Sequence, residues 1–126
     1  MKLSEYFENT DGIGILATAD DKGNVDAALY ARPHCLDETT VIFVMNERLT
    51  YKNLTSNPKA AYLFLEKGPG YRGKRLYLTK TKEETDVELI ESTRRRKTDK
   101  YQESDLKKYL VYFSVDKIRP LVGEQL

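Results

Sequence analysis

The sequence predicts a mainly β domain, a small antiparallel barrel of about six strands with two or three short helices at its ends. Three observations lead there. Short apolar, β-compatible runs recur from residue 12 onward, separated by turn residues. Four of them come in hairpin-like succession, and the one long helical stretch stands between the last two. No βαβ rhythm is present, which argues against a Rossmann nucleotide site, and no G-x-x-x-x-G-K-[ST] string occurs.

Taken in chain order, residues 3–10 read as a short helix with Ser4 as N-cap, stopped by Asp11 and Gly12. Residues 12–20 (GIGILATAD) form the first strand, and residues 20–24 a hairpin turn in which Gly23 takes a positive φ. A second strand is expected from Val25 to about Cys35. Residues 36–40 make the next turn, and residues 41–45 (VIFVM) a short buried strand. A helix follows from Leu49 to Asn57, with Leu49, Asn53 and Leu54 on one face. Pro58 ends it, because the residue before proline avoids the α region. Residues 60–65 (AAYLFL) are a strongly apolar strand, Gly68, Pro69 and Gly70 a loop, and residues 75–81 an alternating, half-buried strand. Thr85 and Glu88 match a capping box, predicting a helix from near Asp86 to about Lys97. Residues 98–107 are polar and poorly patterned; residues 109–115 (YLVYFSV) are a last apolar strand, and a tail with Pro120 and Gly123 closes the chain.

Size and charge narrow the function classes. At 126 residues, 40% of them hydrophobic, the chain fits one domain, residues 1–126. So small a domain buries a modest share of its surface, which favours dimerisation. Lys and Arg number 21 against 20 Asp and Glu, so no global field draws nucleic acid or an anionic membrane. One cysteine, Cys35, and one histidine, His34, exclude an internal disulfide and a structural zinc site. No metal is expected. Without an apolar run of signal-peptide or membrane-spanning length, a reducing cytoplasm is the expected compartment.

The most informative stretch runs from Phe43 to Pro58. A strand ends, and a short helix begins behind Arg48, Thr50, Tyr51 and Lys52. Helix N-termini hold phosphate well, since free N–H groups and the helix dipole both face the anion. The plainer alternative is a Thr50 N-cap flanked by solvated cations. His34 and Cys35 point to opposite faces of a strand and so do not make a catalytic dyad. Arg94, Arg95, Arg96 and Lys97 form the one dense basic run, read as a solvated helix end or a local anion patch. Tyr71, Tyr77, Tyr109 and Tyr112 suit core or interface packing, or the lining of a pocket.

This stretch resembles the strand–helix signature of the pyridoxamine 5′-phosphate oxidase-like FMN-binding split barrels. Thr50-Tyr51-Lys52 fits their Ser/Thr-x-Lys, and Leu54 to Pro58 fits their L-x-x-N-P helix ending. Asn46 holds the position before the helix, and the likeness runs from about Gly12 to Gly123. The resemblance implies a small antiparallel split β-barrel with FMN held non-covalently at a homodimer interface. It implies that the isoalloxazine lies along strand two, near residues 27–32. Ala28, Tyr30 and Arg32 share the face favoured for contact, while Ala27, Leu29 and Ala31 share the other. Met45, Asn46, Arg48, Thr50, Tyr51 and Lys52 complete the implied cofactor site. The C-terminal end lacks the Arg-x-His of the true oxidases, so pyridoxamine phosphate oxidation is not expected. The implied activity is that of an oxidoreductase or electron-transfer protein with a small-molecule or protein electron partner. The alternatives are an FMN carrier without turnover, and a barrel that has exchanged flavin for another ligand. No catalytic residue is singled out, since the flavin carries the redox chemistry.

Overall fold

The computed structural model describes residues 2–93 and 107–123. Its elements are α1 (Leu3–Asn9), β1 (Gly12–Ala19), β2 (Val25–Leu29), β3 (His34–Asp37), β4 (Thr40–Asn46), α2 (Leu49–Ser56), β5 (Lys59–Glu66), β6 (Gly73–Glu84), α3 (Val87–Thr93) and β7 (Lys108–Pro120). Seven strands form one antiparallel sheet in the order β2-β1-β5-β6-β7-β4-β3. β2 and β3 are successive in the chain yet lie at opposite edges, so residues 30–33 cross the opening of an unclosed, split barrel.

That crossing corrects the expectation of one continuous strand from Val25 to Cys35. The Tyr30 amide still donates to the Gly14 carbonyl at 3.0 Å. The ladder ends there, because Pro33 has no N–H to offer and restricts Arg32 before it. One expected strand thus becomes two, and the total becomes seven.

Alternation sorts the side chains. Leu16, Phe43, Met45, Tyr62, Phe64, Leu76, Leu78, Val111 and Phe113 point inward and are buried. Phe43 meets Tyr62 and Phe113 at ring separations of 5.0 and 5.8 Å. Each such buried ring contributes about 2–3 kcal/mol by removing apolar area from water. Gly14 is required by this packing: a Cβ there would lie 1.8 Å from the Tyr62 hydroxyl oxygen. α1 covers the barrel mouth near Gly12, inserting Leu3, Tyr6 and Phe7; α2 covers the other mouth near Thr18. On the outside, Ile90 of α3 packs with Ile42, Leu110 and Tyr112.

The helix ends differ from the sequence expectations in instructive ways. Ser4 is not the N-cap of α1. Glu38, from the β3–β4 turn, accepts the Leu3 amide at 2.6 Å and the Ser4 hydroxyl at 3.3 Å, supplying the anion that the helix start favours. Thr85 does not cap α3 either. Asp86, one residue closer, accepts the Leu89 amide at 3.1 Å. In α2 the buried face is Thr50, Asn53 and Leu54, while Leu49 is 53% exposed. The spacings 50/53/54 and 49/53/54 are both helical, and the barrel mouth selects the first. The hairpin turn is as expected, with Gly23 at φ 86° and Asp20 accepting the amides of Lys22 and Asn24.

β6 and β7 extend beyond their expected spans, pairing from Lys74 opposite Pro120 to Glu84 opposite Leu110. The loop from Gly68 to Gly73 spells G-x-G-x-x-G, but it joins the antiparallel strands β5 and β6. It therefore lacks the strand-to-helix setting that gives that spacing its phosphate-binding meaning. The basic run at residues 94–97 and the expected continuation of α3 beyond Thr93 lie outside the described residues. Among those residues, no helix is long and apolar enough to cross a membrane.

Candidate functional site

The split between β2 and β4 is where the structure gathers several of the candidate residues. α2 packs against β1, β2 and β4, and so closes the lower end of the opening. It is fastened there by a buried amide: Asn53 Nδ2 donates to Thr18 Oγ1 at 3.1 Å, both residues being 4% exposed. Across the opening, Ala28 of β2 and Tyr30 just beyond its end are half-buried on the inward face, and the Tyr30 ring meets Phe43 edge-on at 5.9 Å. The Tyr30 carbonyl accepts the Tyr62 hydroxyl at 3.0 Å.

The chain reaches α2 through a tight backbone turn. Glu47 N donates to the Lys107 carbonyl at 2.9 Å, and Arg48 N to the Asn46 carbonyl at 2.8 Å. Arg48 holds the N-cap position without a side-chain hydrogen bond, and no acidic residue lies in the first turn. The helix start therefore keeps its positive dipole end and its first amides uncovered by any side chain among the described residues. Arg48 and Lys52 are exposed beside it. Asn46 Oδ1, at the strand end just before, is buried and has no hydrogen-bond partner among the described residues.

The other candidates diverge. Met45 is fully buried in the barrel core, and Thr50 turns its side chain into the same interior, which removes it as the N-cap. Arg32 does not reach α2: its Nη1 donates to the carbonyls of Phe7 at 2.8 Å and Thr10 at 3.0 Å, and lies 3.7 Å from Asp11. It ties down the C-terminal end of α1. Tyr51 faces β6 and β7. Its ring stacks on Tyr109 at 4.1 Å with an 11° interplanar angle, and its hydroxyl donates to Glu83 Oε2 at 2.5 Å. Burial, reinforced by that bond, pushes the Tyr51 hydroxyl well above the ordinary tyrosine range. Burial pushes the Glu83 carboxyl up, but hydrogen bonds from Lys80 (2.6 Å) and Tyr51 outweigh it and hold the group below its usual value. Tyr109 was read from the sequence only as a packing or pocket-lining tyrosine, and Lys80 and Glu83 were not site candidates. Their relation to Tyr51 spans 29 to 58 positions in the chain and has no local signature.

Strand pairing builds a second feature on the outer face of the sheet. One row runs Leu29, Ile15, Leu63, Arg75, and the next runs Ala27, Ala17, Ala61, Tyr77. Ile13, Leu29 and Leu63 are 58, 63 and 38% exposed, which is costly for contiguous apolar residues in water. Ile15, Ala17, Ala61, Leu63, Arg75 and Tyr77 line a shallow trough in this face. His34 and Cys35 make no dyad by geometry, since Cys35 packs toward the core and its strand neighbour faces the other way. No group of three or more potential metal ligands occurs among the described residues.

The strand order, the open edge and the helix-closed mouths define a split β-barrel, the fold also seen in solved FMN-binding and pyridoxamine 5′-phosphate oxidase-like proteins. The sequence matches no protein-family model and no curated protein. Among solved structures, an FMN-binding protein from Syntrophomonas wolfei subsp. wolfei superposes with a TM-score of 0.78 at 20% identity, over 98% of this chain and 86% of its own. A pyridoxinephosphate oxidase-family protein from Clostridium acetobutylicum, related to general stress protein 26, gives a TM-score of 0.65 at 15% identity, over 93% of this chain and 84% of its own. The styrene monooxygenase flavin reductase of Pseudomonas putida S12 gives 0.59 at 10% identity, over 93% and 83%. At these identities the likeness is one of fold.

Proposed function

We propose that the chain is an FMN-binding flavoprotein of the cytoplasm that holds its cofactor non-covalently in a homodimer and serves as an oxidoreductase or electron-transfer protein. The observation that carries this reading is the match of nearly the whole chain to the fold of an FMN-binding protein. The residues of the α2 region fit the phosphate end of such a cofactor. The exposed cations Arg48 and Lys52 flank a helix start that no described side chain caps, whereas the buried Asn46 Oδ1 only accepts and so would take a hydroxyl of the cofactor, not its phosphate. Thr50 would contribute its backbone N–H, and Met45 would support the site from the core. Ala28 and Tyr30 would meet the ring system, the first by leaving room for it and the second by its half-buried aromatic face. Arg32 would serve the fold and not the cofactor, fastening the end of α1. The bound flavin supplies the redox chemistry, and the protein supplies binding and orientation. The apolar outer face supports a second copy as the partner that covers it.

Titration with FMN, followed by visible absorbance, tests the proposal. Binding is expected, weakened by Lys52→Ala and Arg48→Ala; a protein that stays colourless with added FMN overturns it. Reduction of the bound flavin by a nicotinamide donor then separates an oxidoreductase from a carrier without turnover.

A further inference from the structure

Tyr51 differs from its neighbours Arg48 and Lys52 in being already committed. Its hydroxyl donates to Glu83, its ring lies flat on Tyr109, and Lys80 both sits 5.3 Å over that ring and pairs with Glu83 at 2.6 Å. The partners come from β6 and β7, so this contact ties the first turn of α2 to the barrel wall away from strand two. A phosphate reaching for the Tyr51 hydroxyl would have to displace the Glu83 carboxylate and then sit beside its charge. Like charges at that range oppose each other, which makes direct contact unfavourable. What the bond does instead is fix the seat of α2, and a helix start displaced by a fraction of an ångström no longer aims its amides at the anion.

We infer that Tyr51 serves the flavin site as a positioning residue, acting through Glu83 on the seat of α2, and does not touch the cofactor. The inference rests on the proposed reading of the α2 start as the phosphate end. A double-mutant cycle on FMN affinity tests it, with Tyr51→Phe, Glu83→Gln and the double variant, and with riboflavin titrated in parallel as the phosphate-free probe. Tyr51→Phe is expected to weaken FMN binding roughly tenfold, the scale of one hydrogen bond to a charged group. Riboflavin affinity should hold within about twofold, because the part of the site it uses is unchanged. In the Glu83→Gln background Tyr51→Phe should add nothing, since the partner through which it acts is gone. The altered charge at position 83 is present in both arms of the cycle and cancels. Glu83→Asp, which keeps the charge but retracts the carboxylate, supplies a second background if Glu83→Gln does not fold.

Equal losses of FMN affinity in both backgrounds overturn the inference and make Tyr51 a direct contact. No loss on Tyr51→Phe, or an equal loss for riboflavin, overturns it as well. If the unaltered protein binds FMN no better than riboflavin, the phosphate reading of α2 fails first and the inference falls with it.

Discussion

Replacing Gly14 by alanine should be among the most damaging one-carbon changes in this protein. The new Cβ would lie 1.8 Å from the Tyr62 hydroxyl oxygen, 2.3 Å from Cζ and 2.6 Å from Cε1. All three are atoms at the tip of one ring, so the ring has to move. It has little room, being fully buried between Phe7 and Phe43, and its hydroxyl holds the Tyr30 carbonyl. Overpacking of this kind costs about 1–3 kcal/mol. Pulling the hydroxyl from its acceptor adds about 1–3 kcal/mol if the carbonyl is left unsatisfied. The lower entropy of the unfolded alanine chain returns about 0.4–1 kcal/mol, too little to reverse the sign. The net loss is about 3 kcal/mol, or a fall in Tm of roughly 10 °C for a domain of this size. Thermal and urea denaturation of Gly14→Ala measure it. Tyr62→Leu removes the three clashing atoms, so Gly14→Ala made in that background should cost under about 1 kcal/mol. An equal cost in both backgrounds would show that the ring tip is not what excludes a side chain at position 14. Because Tyr62 bonds strand two where it leaves the sheet, the same substitution should also weaken FMN binding.

On the outer face, Leu63→Asp places a charge in the middle of the exposed apolar row. Light scattering on the eluting protein should show a shift from dimer to monomer with an unchanged far-ultraviolet spectrum; a monomeric unaltered protein would refute the proposed interface. Arg32→Ala frees two carbonyls at the end of α1, with an expected cost of about 1–2 kcal/mol in urea unfolding and FMN affinity within about twofold. A large loss of affinity at unchanged stability would instead assign Arg32 to the cofactor. Asp116 accepts hydroxyl hydrogen bonds from Thr79 and Ser114 and lies 3.8 Å from Lys59, and these partners hold its carboxyl below the ordinary range. A depressed folded pKa means that the contribution is present above the unfolded Asp value, near 4, and is lost as pH falls through the folded value. Asp116→Asn should therefore flatten the acid limb of the stability curve below about pH 4, and an unchanged limb would dismiss the contact as a source of stability.

The strands were legible because their signal is local. The runs at residues 12–20, 41–45, 60–65 and 109–115 each carry enough apolar residues to require burial, and each is a strand. Pro33 carried the break between β2 and β3 in plain view, but only the sheet order shows why the break matters. β3 pairs with β4, at the far edge from β2, and nothing within residues 25–37 specifies that. The caps show the same limit. Glu38 lies 35 positions from the amide it caps, whereas Asp86 was visible beside Thr85 and prevailed by position. Of the expected phosphate cluster, exposed Arg48 and Lys52 stayed together, but Thr50 turned inward, because periodicity allowed two faces and the core chose between them. The convergence of Lys80, Glu83 and Tyr109 on Tyr51 was illegible for the reason Glu38 was: they arrive from strands brought near only by the curling of the open sheet.

The near-neutral charge of the chain takes on a different meaning in three dimensions. Three tyrosines repeat one arrangement, with the hydroxyl donating to a glutamate and a lysine set over the ring. They are Tyr6 with Glu66 and Lys74, Tyr51 with Glu83 and Lys80, and Tyr112 with Glu84 and Lys82. Each fastens a different helix, for Tyr6 lies in α1, Tyr51 in α2, and Tyr112 packs with Ile90 of α3. Exposed ion pairs alone would contribute little. A buried or half-buried ring adds apolar contact and lends the carboxylate a hydroxyl donor, so each group joins a polar rim to the core. Glu83 and Glu84, adjacent on β6, point to opposite faces of the sheet and serve α2 and the α3 side respectively. The end of β6 thus holds the helix at the inner mouth and the cluster on the outer face at once. A shift of α2 on loading an anion would be resisted by the same two-residue fork that steadies α3, so the phosphate end proposed for α2 should be rigid and preformed.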